Sequence, residues 1–155
     1  MPEAILLERA GVDDVPAIRT LTRAAYASWA ALIGREPLPM TADYARAVRD
    51  HRIDLLRQGG ELLGLIEMIL ESDHLLIENV AIRPDCQGRG LGGRLLAHAE
   101  AVARAEGYAT IRLYTNKLFE KNIALYARRG YRLEREEPIP GAIKVWMSKT
   151  VSGAP

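Results

Sequence analysis

The chain is poor in cysteine, phenylalanine and histidine. Its 155 residues include one Cys, one Phe and three His. With Cys86 as the single thiol, no intrachain disulfide can form, and a reducing, cytoplasmic home is the default expectation. No sign of charge dominates: 21 Lys and Arg face 20 Asp and Glu, for a formal net charge of +1. That balance gives neither nucleic acid nor an anionic membrane a reason to be the main partner. No stretch approaches the ~20 apolar residues of a membrane span. The opening MPEAILLERAG lacks a basic n-region, and its apolar run, Ala4–Leu7, is too short for a signal peptide. Hydrophobic residues still make up 48% of the chain, enough to fill a core of ordinary size. The expectation is a soluble, intracellular, single domain spanning 1–155.

Periodicity supplies the elements. Residues 4–9 read as a short strand. Asp13-Asp14 offers an N-cap, with Pro16 in the first turn of a helix. Ile18, Leu21, Ala25, Trp29 and Ile33 follow at helical spacing. Gly34 and the Pro37-Leu-Pro39 segment end it, and Thr41 is the expected cap of a second helix over 42–50. Residues 52–57 and 61–70 read as strands joined at Gly59-Gly60, and 74–83 as a third. A helix is expected from about 90 to 106, with Leu91, Leu95, Ala99 and Val102 inward and Glu100 pairing with Arg104 outside. Strand 109–114 follows, then helix 118–129 with Phe119, Ile123 and Tyr126 inward, and strands 131–136 and 142–149. Meandering strands followed by crossovers predict a mixed α/β domain in three layers.

The most informative stretch is Val80–Leu96, VAIRPDCQGRGLGGRLL. A strand enters, Pro84 turns the chain, and four glycines fall within Gly88–Gly93 before a helix opens. Glycines let the backbone approach a ligand closely. The first N–H groups of the helix lack internal partners and lie at its positive end. Together these make a cradle for phosphate or pyrophosphate, to which Arg89 and Arg94 can add positive charge. A Walker loop fails, because no Lys-Ser or Lys-Thr follows the glycines. Gly88, Gly90 and Gly93 formally match G-x-G-x-x-G. However, five residues separate the strand from the first glycine, and Ala109–Tyr114 has no acidic residue near its end to hold a ribose.

This segment resembles motif A of the GNAT acetyltransferases, [Q/R]-x-x-G-x-[G/A], at Gln87, Gly90 and Gly92. Asn122–Tyr131, NIALYARRGY, resembles the family's A-I-x-L-Y-x-x-x-G-[F/Y]. The resemblance is strong over about 74–149 and weak before that. It implies a GNAT fold, with a central mixed sheet of six to seven strands flanked by helices. It also implies acetyl-CoA as cosubstrate, with no metal. The amides of Gly88, Arg89, Gly90, Leu91, Gly92 and Gly93 would hold the pyrophosphate, with Gln87 at the loop entry. The backbone of Val80, Ala81 and Ile82 would bind the acetyl carbonyl and the pantetheine.

By the same resemblance, Tyr126 matches the tyrosine that protonates the departing thiolate. The asparagine usual seven residues earlier is replaced by Phe119. Asn122, favoured here, or Asn116 can substitute, or the contact is absent. For the proton of the amine, Glu78 is the first candidate, on the strand face of Val80 and Ile82. Some relatives carry a glutamate two residues earlier, where this chain has Leu76. Glu67 and His74 are weaker candidates, water is another acceptor, and Cys86 is incidental. Tyr26, Trp29, the Gly34–Met40 loop and Tyr44 are candidates for the acceptor side. The implied function is transfer of acetyl to a primary amine of a small molecule or peptide by direct attack in a ternary complex. The alternative is a non-catalytic acyl-CoA-binding or sensing module of the same fold, with a nucleotide-binding fragment the remotest reading. A homodimer is an expectation from the resemblance alone.

Overall fold

A computed structural model describes residues 3–151. In chain order the elements are β1 (Ile5–Arg9), α1 (Val15–Ile33), α2 (Leu38–Thr41), α3 (Tyr44–Asp50), β2 (Arg52–Gln58), β3 (Glu61–Leu70), β4 (Leu75–Ile82), α4 (Leu91–Ala105), β5 (Thr110–Asn116), α5 (Glu120–Arg128), β6 (Arg132–Ile139) and β7 (Ala142–Thr150). The strands form one seven-stranded sheet in the order β1-β2-β3-β4-β5-β7-β6. The β4–β5 ladder is parallel, whereas β1–β2, β2–β3, β5–β7 and β6–β7 are antiparallel. This is the mixed sheet flanked by helices that the sequence led us to expect. The chain divides into two compact units, Met1–Met68 with Asn79–Leu95, and Ile69–Glu78 with Leu96–Pro155.

In the first unit the core forms where one face of α1 (Val15, Ile18, Leu21, Ala25) and the inner face of α3 (Tyr44, Ala47) meet Ile53, Leu55, Leu65 and Ala81 of the strands. The β2–β3 hairpin closes through Gly59 and Gly60, both at positive φ (59° and 83°). Two such residues in succession give the primed turn whose twist suits a hairpin.

Asp14 does not cap α1 with its side chain, as the sequence suggested. Its carboxylate turns back to accept from Gly11 N–H (2.8 Å) and receives Arg57 of β2 (2.5 Å), which fastens the turn before the helix to the sheet. Two further expectations are corrected. Leu38–Thr41 is a helical turn of its own, because Pro37 and Pro39 set backbone angles compatible with a helix start. The cap of the following helix is Asp43, not Thr41: its side chain accepts from Arg46 N–H at 3.1 Å, and the helix begins at Tyr44.

β3 and β4 approach so closely at Gly64 that a Cβ there would lie 2.8 Å from Ile82 Cδ1 and 3.0 Å from the Ala81 carbonyl oxygen. β4 alternates strictly between buried and half-buried residues. Leu75, Ile77, Asn79 and Ala81 point inward, and Leu76, Glu78, Val80 and Ile82 point to the other face.

In the second unit β4 pairs with β5 from Leu75↔Ile111 to Ile77↔Leu113. Glu100 on α4 is 7% exposed, so it is not the outward-facing partner of Arg104 expected from helical spacing. It meets Arg129 (3.1 Å), Lys149 (3.1 Å) and Arg104 (3.8 Å), and this surplus of cations compensates its desolvation. Lys149 also donates to the Arg129 carbonyl at 2.6 Å. The network joins α4, the end of α5 and β7.

Gly64→Ala is expected to lower stability by about 1–3 kcal/mol, since a backbone oxygen cannot move aside as a side-chain tip can. Denaturant melts check this, and an unchanged midpoint would mean that the two strands separate freely.

Candidate functional site

The first unit carries the glycine loop. After β4 the chain makes a single 3-10 turn, Pro84–Cys86. Cys86 N–H donates to the Arg83 carbonyl at 2.8 Å, and Arg83 N–H to Leu63 at 2.8 Å. Arg83 also binds Asp85 (2.6 Å), and that contact holds the Asp85 carboxyl below its ordinary value. Gln87 donates through Nε2 to the Ile82 carbonyl at 3.3 Å, closing the loop entry onto the strand end. Gly88 and Gly90 have φ of 81° and 78°, and nothing lies within 4 Å of a Cβ built at Gly88, Gly90 or Gly93. Glycine serves here for its backbone angles, and the space beside the loop is open.

Among the described residues, the N–H groups of Gly88, Arg89, Gly90, Leu91, Gly92 and Gly93 meet no acceptor. They lead into the start of α4, where the helix dipole adds a positive potential. This donor set fits a diphosphate. Arg94, expected to add charge beside the loop, donates instead to the Ile5 carbonyl of β1 at 3.0 Å. Arg89 is exposed, with Nη1 3.7 Å from Cys86 Sγ. Cys86 is 1% exposed and packs as a small apolar residue.

Upstream on β4, the buried Asn79 accepts from Tyr26 Oη at 2.7 Å and donates to Tyr44 Oη at 3.3 Å. Tyr26 Oη also lies 3.1 Å from the Val80 carbonyl, and Tyr44 Oη donates to the Pro39 carbonyl at 2.5 Å. Tyr44 is 1% exposed, so it is a core residue and not the acceptor-side candidate the sequence suggested. Tyr26 and Trp29 are half-buried. Glu67 is buried and engaged by His51 Nδ1 at 2.6 Å, and His74 is held by Asp73 at 2.7 Å.

The second unit holds Glu78, Asn122 and Tyr126. Glu78, on the residue after the last β4–β5 ladder pair, accepts from Tyr114 Oη at 2.5 Å through Oε1. Its Oε2 accepts from no described residue. Tyr126 lies on the inward face of α5, its ring 6.1 Å from Tyr131 in an edge-on arrangement. Burial pushes the Tyr126 phenol up to about 12, and Tyr131 is raised as well, by burial first and Glu100 second. Asn122 is half-buried one turn before Tyr126. Asn116 Oδ1 accepts from Leu118 N–H at 2.9 Å. Phe119 is 5% exposed and stands at the helix N-cap, so it is core packing. Ile123, expected inward, is only half-buried.

Residues 16–131 match the profile of the acetyltransferase (GNAT) family. The chain belongs to that family. It is 36% identical over 77 residues to N-alpha-acetyltransferase 80 of Mus musculus, and the aligned stretch covers 49% of this chain and 23% of the mouse protein. The fold is shared with the PaiA N-acetyltransferase of Thermoplasma acidophilum, solved in complex with coenzyme A. The TM-score is 0.82 at 16% identity, covering 95% of this chain and 99% of that one. The ribosomal-protein-S18-alanine N-acetyltransferase of Escherichia coli superposes with a TM-score of 0.80 at 22% identity, covering 98% and 97%.

Two features of this GNAT chain escaped the sequence reading. Asn79 is one; its only signal was an amide at a position that strand alternation places opposite to Glu78, on the buried face. The other is the pairing of Tyr114 with Trp146, whose rings lie 5.0 Å apart at 50° beside Glu78. Trp146 Nε1 donates to Glu137 at 2.8 Å, which lowers the Glu137 carboxyl from its ordinary value. Each strand carries a single aromatic residue, and only the register brings the two together.

A raised phenol binds its proton more tightly in the folded state than in the unfolded one. Its stabilising effect is whole below pH 10 and fades as the pH climbs to about 12. Tyr126→Phe should therefore flatten the fall in melting temperature over that interval. Thermal melts across the alkaline range test it, and parallel curves for variant and parent would refute it.

Proposed function

We propose that this GNAT chain transfers acetyl from acetyl-CoA to a primary amine by direct attack within a ternary complex. The observation that carries the reading is the row of unmet N–H groups from Gly88 to Gly93, at the end of a strand and the start of a helix. Such donors, fixed before the ligand arrives, favour a diphosphate without reorganisation. In this reading the amides of Val80, Ala81 and Ile82 polarise the thioester carbonyl and hold the oxyanion as the amine adds. Glu78, through its open Oε2, or a water takes the proton that the amine must lose. As the C–S bond breaks, Tyr126 gives its proton to the leaving sulfur. Burial keeps that phenol protonated at all physiological pH, and burial likewise raises the basicity of a thiolate formed beside it. Asn122, half-buried one turn before Tyr126, is assigned the contact to coenzyme A. The single, buried Cys86 supports a cytosolic home and plays no part in the transfer.

Tyr126→Phe should lower kcat about 100-fold while acetyl-CoA binding changes little. Steady-state rates beside calorimetry separate the two effects, and unchanged turnover removes Tyr126 from the mechanism. Gly90→Ala forces a left-handed angle on a residue with a side chain, and should weaken coenzyme A binding roughly tenfold. Calorimetry with coenzyme A reads this directly. Coenzyme A binding without turnover of any amine would make the protein a sensor instead of an enzyme.

A further inference from the structure

Four strands of the second unit carry one continuous row of side chains on a single face. Glu78 of β4 accepts from Tyr114 Oη of β5 at 2.5 Å. Tyr114 stands opposite Trp146 of β7 in the ladder, and Trp146 opposite Arg135 of β6. The Arg135 guanidinium lies 4.9 Å over the indole. In the next row Lys144 of β7 faces Asn116 on one side and Glu137 on the other. Residues of opposite parity on β7, Val145 and Met147, are buried, and Lys149 reaches Glu100 of α4. The row therefore occupies the sheet face away from that helix.

The position of Lys144 is unusual. Its ammonium rests 4.1 Å from the Tyr114 ring centroid and 5.5 Å from that of Trp146, and the residue is half-buried. Glu137 is its direct neighbour across the ladder, yet that carboxylate is spent on Trp146 Nε1 (2.8 Å) and Arg135 (3.6 Å). Among the described residues no carboxylate lies within ion-pair distance of Lys144, whose charge reaches Glu137 only as a minor contribution to the lowering of that carboxyl. Ring faces compensate only part of the hydration such a cation gives up. Glu78 and Lys144 thus contact the same phenol, a carboxylate at its hydroxyl and an ammonium over its ring face with no direct carboxylate contact.

We infer that this shelf selects acceptors that carry a carboxylate as well as the reacting amine. The inference rests on the proposed role of Glu78 as the group that receives the amine. The amine then lies at Glu78 Oε2, the carboxylate pairs with Lys144, and the carbon chain between them lies along the Tyr114 and Trp146 rings. The two charges flank one Tyr114 side chain, at its hydroxyl and over its ring, so an ω-amino acid or the end of a short peptide matches both. A plain alkylamine leaves Lys144 unpaired, and a diamine brings a second cation against it.

The test compares δ-aminovalerate with n-pentylamine in initial-rate assays. The wild type should favour δ-aminovalerate about tenfold in kcat/KM, from one charge-assisted pair. Lys144→Met should lower kcat/KM for δ-aminovalerate about tenfold more than for n-pentylamine, chiefly through KM, and Lys144→Arg should recover most of the preference. Equal rates for the two amines, or an equal loss with both in Lys144→Met, would overturn the inference. A second readout is independent of turnover. The chain has two tryptophans, so in a Trp29→Phe background the fluorescence reports Trp146 alone. A saturable response to δ-aminovalerate that Lys144→Met abolishes supports the shelf even where neither amine reacts, and that pattern would count against the acetyl-transfer reading instead. A wild-type shelf with no such response refutes the inference.

Discussion

The amide of Asn79 is a buried polar group in the middle of a strand, and both of its ends must be satisfied within the protein. Leaving either unpaired would cost about 1–3 kcal/mol. Tyr26 of α1 and Tyr44 of α3 meet that demand, and Tyr44 is in turn fixed by the carbonyl of Pro39. The helical layer of the first unit is thereby tied to one point of β4, immediately before Val80. From the sheet side, Gly64 allows β3 to close on Ala81 and Ile82 without a side chain between them. A strand held in this way from two directions has little freedom to shift its carbonyls and amides. The glycine loop begins where this constraint ends, so its donors are presented from a rigid base.

Glu100 plays the comparable part in the second unit. Three cations from α4, the end of α5 and β7 converge on one buried carboxylate. Removing it would leave like charges facing each other without their counterion. Tyr131 lies close enough for this charge to oppose its ionisation, and its ring packs edge-on against Tyr126. The aromatic pair is thus seated by an ionic network beneath it.

The parts that were legible in the sequence are those governed by local rules. Gly34, Gly59 and Gly60 end or turn the chain where expected, because each takes a positive φ that other residues avoid. The helices and strands of the second half were readable from spacing, as was the glycine loop. What stayed hidden depends on register and depth. Glu100 fits an outward i,i+4 pair by spacing alone, and only the placement of Arg129 and Lys149 makes it a buried ion. Tyr44 follows a short segment with two prolines, and nothing local distinguishes an exposed aromatic from one that completes a buried hydrogen bond. The Tyr114–Trp146–Arg135 row depends on a register shift in β6 between Leu133 and Arg135. A one-residue slip moves a side chain to the opposite face of the sheet, so no window of sequence could display that row.

β6 forms one border of the sheet, and its composition has a consequence for solubility. The strand reads RLEREEPI, is exposed along nearly its whole length, and contains Pro138. An unpaired border strand invites another chain to add to it, and charge and proline are the usual deterrents. A copy laid against this border would find no amide donor at Pro138 and would bring charges of both signs into a dehydrated seam. The border thus resists runaway stacking of subunits into fibres, although it lies beside a shelf of half-buried aromatic rings.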